Sequence, residues 1–346
     1  MKAVLFDAVQ TPPVVREVRK PDPPADGVLI EVRASGVCRS DWHAWMGHED
    51  ELALPHVPGH EFAGVIAAVG AEVTRWQPGD RVTVPFVCAC GQCAPCRAGD
   101  RQVCLNQYQP GFTGWGSFAE YVAVPRADGN LVRLPDGLDF VTAAGLGCRF
   151  STAYRAVVAH AQAGPGDWVA VHGCGGVGLS AVMIALARGA RVVAVDRSPA
   201  ARARAAELGA EHVLPAGPDV AAQVWALTGG GADVSLDAFG SAECCAASLA
   251  SLRPRGRHVQ VGLLPAADGL TAVPMGLVIS RELEIQGSHG MSSGDFGALL
   301  ADIDAGRLDP ARLTGRTIAL TQAPAALAEM SGTPTGSGTT VIDFSL

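Results

Sequence analysis

The segment Trp168–Asp196 constrains what this chain can fold into more than any other. Strand-like Trp168-Val-Ala-Val-His172 runs into Gly173-Cys-Gly-Gly-Val-Gly178, which opens a helical stretch ending at about Arg188, with Gly189 behind it. A second strand, Arg191-Val-Val-Ala-Val-Asp196, follows. Strand, G-x-G-x-x-G turn and helix, in that order, form the phosphate-binding part of a parallel α/β unit. The first glycine permits the tight turn, the second lets a diphosphate approach the backbone, and the third lets helix and strand pack closely, with the helix N-terminus facing the phosphates. In a chain with 42 glycines among 346 residues the pattern alone is weak. Its place between two strands gives it weight, as does Asp196, where a carboxylate accepts hydrogen bonds from an adenosine ribose. That carboxylate repels a 2′-phosphate and favours NAD over NADP, an effect that Arg197 partly offsets.

The alternation continues. Ser198 caps a helix with Pro199 in its first turn and Gly209 at its end; Ala232–Asp237 and His258–Val261 read as strands, with a helix at Ala242–Leu252 between them. This is the rhythm of a doubly wound parallel sheet. Before about residue 145 the pattern is β-rich instead: Val28–Arg33, Glu61–Val69, and Arg81–Pro85 after the turn Pro78-Gly79-Asp80. A helix near Phe296–Ala305, a loop candidate at Ser331–Thr340 and a strand at Thr340–Phe344 close the chain, the last expected to return to the first domain. The length suits two domains: 1–149 with 288–346, and 150–287. Met1–Asp7 reads as a strand and not as a secretory leader, and no run of about 18 apolar residues suits a membrane span. A net charge of −8 leaves no basic footprint for nucleic acid or an anionic membrane. A soluble, cytoplasmic protein acting on a small molecule is expected.

Five of the ten cysteines, Cys88, Cys90, Cys93, Cys96 and Cys104, fall within seventeen residues. In a cytosolic chain of this size such crowding points to metal before disulfides. Cys90, Cys93, Cys96 and Cys104 read C-x₂-C-x₂-C-x₇-C, four thiolates able to close tetrahedrally round zinc with no position left for substrate. Such a site is structural and stiffens the lobe 88–105. The bacterial-ferredoxin run differs in its final spacing and carries a proline after its last cysteine, where this chain has Leu105. Zinc ribbons also serve nucleic-acid-binding modules, a reading that the acidic charge disfavours. Cys88 is surplus.

Gly36-Val-Cys-Arg-Ser-Asp-Trp-His43 and Gly59-His-Glu-Phe-Ala-Gly64 resemble the signatures of the zinc-dependent alcohol dehydrogenases, within the medium-chain dehydrogenase/reductase family. With the cysteine lobe, Gly147-Cys148, the glycine loop and Asp196, the resemblance spans essentially the whole chain in the expected order. It implies an α/β protein: a β-rich GroES-like catalytic domain with a structural zinc lobe, joined to a Rossmann doubly wound sheet that binds NAD through Gly173, Gly175, Gly176, Val177, Gly178, Asp196 and Arg197. It implies a second, catalytic zinc held by Cys38, His60 and Cys148, with a fourth position open. Glu61 corresponds to a carboxylate that approaches the metal during ligand exchange, and Asp41 to an acid that orients the His60 ring. Ser40 and His43 correspond to a proton relay running from the reacting oxygen through the Ser40 hydroxyl and the cofactor ribose to solvent. Arg39 falls where the family contacts the diphosphate, Thr152 and Val177 where it contacts the nicotinamide. Trp42, Trp45, Phe86, Trp115 and Leu263 are candidate pocket walls, with subunit or core packing as the competing reading for the tryptophans. Tryptophans in the pocket would suit an aromatic or hydrophobic substrate.

The implied reaction is reversible oxidation of primary or secondary alcohols by NAD, in a homo-oligomer, with a tetramer favoured by chain length. A polyol, aminoalcohol or formaldehyde dehydrogenase of the same family is the alternative within the class. A non-enzymatic zinc- or nucleotide-binding protein is the alternative outside it, and leaves Ser40 and His43 unexplained. The chain departs from the family at Thr339, where many relatives place a second diphosphate-binding arginine, and at Gly287–Gly294, which lacks a common Gly-Thr-Arg run. Arg149, directly after Cys148, occupies a place often held by a small residue; facing the substrate or cofactor and reaching a nearby carboxylate are both open to it.

Overall fold

The computed structural model describes residues 1–49, 52–264, 270–332 and 337–346. Among the described residues, seven strands precede the parallel unit: β1 (Lys2–Leu5), β2 (Val14–Glu17), β3 (Val28–Val37), β4 (Glu61–Val69), β5 (Arg81–Thr83), β6 (Tyr121–Val124) and β7 (Val132–Arg133). Six form the parallel unit: β8 (Trp168–His172), β9 (Arg191–Asp196), β10 (His212–Pro215), β11 (Ala232–Asp237), β12 (Leu252–Gln260) and β13 (Glu284–Gly287). β14 (Thr314–Ile318) and β15 (Thr339–Asp343) follow.

The parallel sheet has the order β10-β9-β8-β11-β12-β13. The order in which strands are added reverses between β8 and β11, so the crevice at the carboxyl ends of those two strands is where a nucleotide belongs. All five residues of β8 are buried, as expected of a strand covered on both faces. The helix Gly176–Ala187 behind it buries every residue from Gly178 to Ala185. The helix Pro199–Leu208 starts at Ser198, whose hydroxyl accepts the Ala201 amide, and stops at Gly209 with φ +113°.

The sheet of the β-rich unit runs β14-β15-β3-β4-β5-β7, and β6 also pairs with β3. β15 lies antiparallel to β3, with Val341 opposite Gly36, so the end of the chain supports the strand that carries Cys38. Residues 333–336 of the expected Ser331–Thr340 loop lie outside the described residues.

Three features differ from the sequence reading. The strand expected at His258–Val261 begins six residues earlier, and the preceding helix ends at Ala250. Its first half, Leu252-Arg-Pro-Arg-Gly256, carries Arg255 at φ +60° and a register shift against β11. Proline, glycine and charge masked a bulged strand. The edge strands β10 and β13 and the helix Val220–Thr228 were not anticipated; a four-residue edge strand reading Glu-Ile-Gln-Gly carries almost no periodic signal.

Candidate active site and metal centres

The cysteine lobe is short and almost coreless. A five-residue helix, Ala94–Ala98, and a turn of 3₁₀ helix, Arg101–Val103, separate the four cysteines. Their sulfurs lie within 4.8 Å of one another, and all are free thiols. Backbone amides point at them: Cys90 N–H donates to Cys104 Sγ at 3.2 Å, Asn106 N–H to the same sulfur at 3.3 Å, and Gln92 N–H to Cys90 Sγ at 3.4 Å. The Gln92 amide, and then that of Cys93, hold the Cys90 thiol down to about 6. Four converging sulfurs served by amides are the donor set of a closed tetrahedral zinc site. Cys88 stands apart. It is fully buried against Val82 and Val84, and burial pushes its thiol up to about 12, as befits an inert core residue.

A second cluster is built from three distant segments. Cys38 directly follows β3 and caps the helix Arg39–Trp45; His60 precedes β4 and Glu61 begins it; Cys148 caps the helix Arg149–Arg155. One donor atom from each of these four side chains lies within 4.8 Å of the others. Asp41, wholly buried, organises them. Its Oδ2 accepts the Cys38 amide at 2.9 Å, and its Oδ1 accepts the Gly59 amide at 3.0 Å and His60 Nδ1–H at 2.9 Å. That last bond fixes the imidazole with Nε2 facing the cluster, where it is buried and has no hydrogen-bond partner. A buried orphan nitrogen beside two thiols fits a metal ion. Burial pulls the His60 pKa down, but the charge and hydrogen bond of Asp41 hold it well above its ordinary value. The hydrogen bond from Cys148 draws the Cys38 thiol well below the usual range, while Cys148, holding the proton, is raised.

The glycine loop lies at the sheet's reversal point. Gly173 has φ +92°, a left-handed conformation that favours glycine. A Cβ on Gly178 would sit 1.7 Å from the Gly173 carbonyl oxygen, whereas one on Gly175 would meet nothing within 4 Å, leaving that face open for a diphosphate. Asp196 ends β9, its Oδ2 accepting the Cys174 amide and its Oδ1 the Ser198 amide, both at 2.7 Å. The carboxylate thus steadies the loop beside which a ribose would sit.

Comparison with known proteins agrees with this arrangement. Residues 24–136 match the family model of the alcohol dehydrogenase GroES-like domain, and residues 176–305 that of zinc-binding dehydrogenases. An alcohol dehydrogenase of Rhizobium meliloti is 38% identical over 292 residues, which cover 83% of this chain and 84% of the relative. The chain belongs to the zinc-type alcohol dehydrogenases. Among solved structures of the family, an NAD-dependent alcohol dehydrogenase superposes with a TM-score of 0.89 at 31% identity, covering 99% of each chain. The alcohol dehydrogenase of the archaeon Aeropyrum pernix superposes with a TM-score of 0.90 at 29% identity, covering 99% of this chain and all of that one.

In this alcohol dehydrogenase the other expected residues fall in different places. Ser40 Oγ is 3.8 Å from Cys38 Sγ, beside the metal cluster. His43 is half-buried farther along the same helix, its Nδ1 2.8 Å from Nδ1 of His48. Burial, then the charges of His48 and Arg39, lower its pKa. Arg39 is exposed, donates to the Met330 carbonyl and lies over the Trp42 ring. Thr152 is buried one turn after Cys148, and Val177 packs on the core at the loop's helix. Arg197 is exposed over the Phe239 ring.

Of the candidate pocket walls, Phe86 lies beside the cluster, its ring 6.3 Å from that of His60. Trp45 is a correction: it is buried with Phe6 and Leu327 and donates its indole N–H to the Thr11 carbonyl, so it packs the core. Trp42 donates to Ser331 Oγ, Trp115 to the Pro55 carbonyl, and Leu263 is exposed beyond β12. Phe112, which the sequence did not single out, brings its ring within 5.0 Å of His60. No residue pattern around Gly111-Phe-Thr-Gly114 signals that contact. Arg149 reaches the carboxylate of Glu61.

Proposed function

We propose that this protein oxidises alcohols to aldehydes or ketones reversibly, with NAD as hydride acceptor, one zinc ion held by Cys38, His60 and Cys148 and another by the cysteine lobe. The observation that carries the reading is the buried, unpartnered His60 Nε2 converging with two thiols. When bound, the metal supplies Lewis acidity that favours ionisation of an alcohol hydroxyl, and the nicotinamide accepts hydride.

The chain's own residues do the rest. Asp41 holds the His60 ring in the ligating tautomer. Ser40 stands where it can take a hydroxyl proton at the edge of the cluster, and His43, whose pKa burial lowers, can receive that proton near solvent. Phe86 and Phe112 exclude water from the His60 side and suit a hydrophobic or aromatic alcohol better than a polyol. Asp196 disfavours a 2′-phosphate. The side chains of Met275 and Ile279, exposed on a helix that buries none of its residues, and of Ile285 on edge strand β13 support a homo-oligomer, tetrameric by chain length; cysteines that all stand as free thiols suit a reducing compartment such as the cytoplasm.

Initial rates with NAD and NADP against aliphatic, aromatic and polyol substrates test the reading. Aromatic or long-chain alcohols with NAD should be turned over best; exclusive use of NADP would refute the role given to Asp196. His43→Gln should slow turnover on the order of tenfold or more at low pH. The loss should shrink as pH rises, because hydroxide in solvent then takes over from the imidazole, and zinc content should stay unchanged. Equal turnover of His43→Gln and the parent protein from pH 6 to 9 would remove His43 from the relay.

A further inference from the structure

Glu61 is wholly buried, and one of its oxygens lies within 4.8 Å of the donor atoms of Cys38, His60 and Cys148. Nothing in that distance keeps it from being a fourth ligand. Arg149 does. Its backbone amide donates to Oε1 at 2.9 Å, its Nε lies 2.8 Å from both Oε1 and Oε2, and its Nη2 donates to Oε2. The guanidinium is itself buried, with 8% of the residue exposed. Two glycines make the slot for this pair. A Cβ on Gly36 would come within 2.4 Å of Glu61 Oε2 and 2.7 Å of Arg149 Nη2, and one on Gly176 would come within 2.4 Å of Arg149 Cδ.

We propose that Arg149 is a positioning residue that clamps the Glu61 carboxylate away from the metal, keeping the fourth coordination position open for substrate. The inference rests on the reading that Cys38, His60 and Cys148 hold zinc. Charge makes the clamp necessary. A zinc ion with two thiolates is neutral; Glu61 adds a buried negative charge that must find a cationic partner. Among the described residues the guanidinium of Arg149 is the cation that reaches it; the metal is the other candidate. With the guanidinium in place the carboxylate is satisfied by a bidentate fork. Without it the metal takes the carboxylate, and a three-ligand open site becomes a four-ligand closed one, the coordination of structural rather than catalytic zinc.

The test uses the zinc-loaded full-length protein, with Arg149→Met, Arg149→Lys and the double variant Arg149→Met/Glu61→Gln. Zinc analysis comes first: the parent should hold one more zinc than Cys148→Ser. Equal contents would refute the metal reading itself, and the clamp with it. Given that difference, transfer of the open-site zinc to a chromophoric chelator should slow about tenfold in Arg149→Met, the scale on which groups around metal ligands alter affinity. Imidazole binding to the cobalt-substituted protein, read from its visible absorption, should weaken by about the same factor. Arg149→Lys, which keeps the charge and loses the fork, should shift both measurements the same way by roughly threefold, and carries the test if the methionine variant does not fold. The double variant should return both to near the parent values. An ion pair that only braces the fold predicts the reverse for Arg149→Met, faster zinc loss with imidazole affinity retained. That result, unchanged release, or failure of the double variant to restore it would overturn the clamp.

Discussion

Cys148→Ser is expected to abolish alcohol oxidation while leaving the cysteine lobe metallated. The lost ligand is one of the three proposed, and a serine hydroxyl, far harder to ionise than a thiol, cannot replace a zinc-bound thiolate. Losing the Lewis acid forfeits about 4 kcal/mol or more of transition-state stabilisation, roughly a thousandfold in turnover. Secondary structure should persist, because the chain around Cys148 is held by Phe150, Ala153 and Leu146 in the main core. Metal analysis should find one zinc fewer per chain, and NAD binding, followed by fluorescence, should change little. Turnover within tenfold of the parent would show that Cys148 is not a ligand.

Cys104→Ser should act on stability instead. The lobe's buried cluster holds only Val87, Ala89, Cys96 and Cys104, and Leu105 and Val103 point outward. Without metal, residues 90–104 keep only their turn hydrogen bonds and a few ties to the rest of the described residues, such as Arg101 to the Gly129 carbonyl and Arg155 to Asp100. Structural zinc sites contribute folding free energy outright, so a loss of about 5 kcal/mol is expected, or a fall in Tm of roughly 5–10 °C for a protein of this size. Limited proteolysis should cut within the lobe before anywhere else. A variant with an unchanged Tm and full zinc would end the structural role. Together the two variants separate the sites: one loses chemistry and keeps its fold, the other loses rigidity first.

How much of this was legible beforehand depended on whether a signal was local. The strands Trp168–His172, Arg191–Asp196 and Ala232–Asp237 appear in the structure with the bounds read from the sequence, because buried apolar runs bounded by glycine or charge are hard to mistake. The glycines of the loop play distinct conformational parts, and those parts follow from spacing. What escaped depends on partners far along the chain. Trp45 looked like a pocket wall because it follows the metal motif by a few residues; its neighbours Phe6 and Leu327, which decide its role, lie near opposite ends of the chain. Phe112 reaches His60 across a gap of fifty residues without any pattern to announce it. Arg149 was the most informative departure. A cation in the otherwise apolar stretch around Leu146 and Phe150 had to find an anion, and Glu61 sits 88 positions away.

The two cysteine-bearing centres differ in how far their ligands are spread. Cys90 and Cys104 are fourteen positions apart, Cys38 and Cys148 one hundred and ten. Closing the longer span costs about 2 kcal/mol more in chain entropy, and it demands that β3, β4 and the helix after Cys148 already be assembled. On the two-zinc reading proposed above, metal acquisition during synthesis is therefore ordered. The lobe can capture its ion once residue 104 has cleared the ribosome, because all four sulfurs belong to one local segment. The reactive centre must wait for the chain through residue 148, so a newly made molecule carries its structural ion before it has any capacity for chemistry.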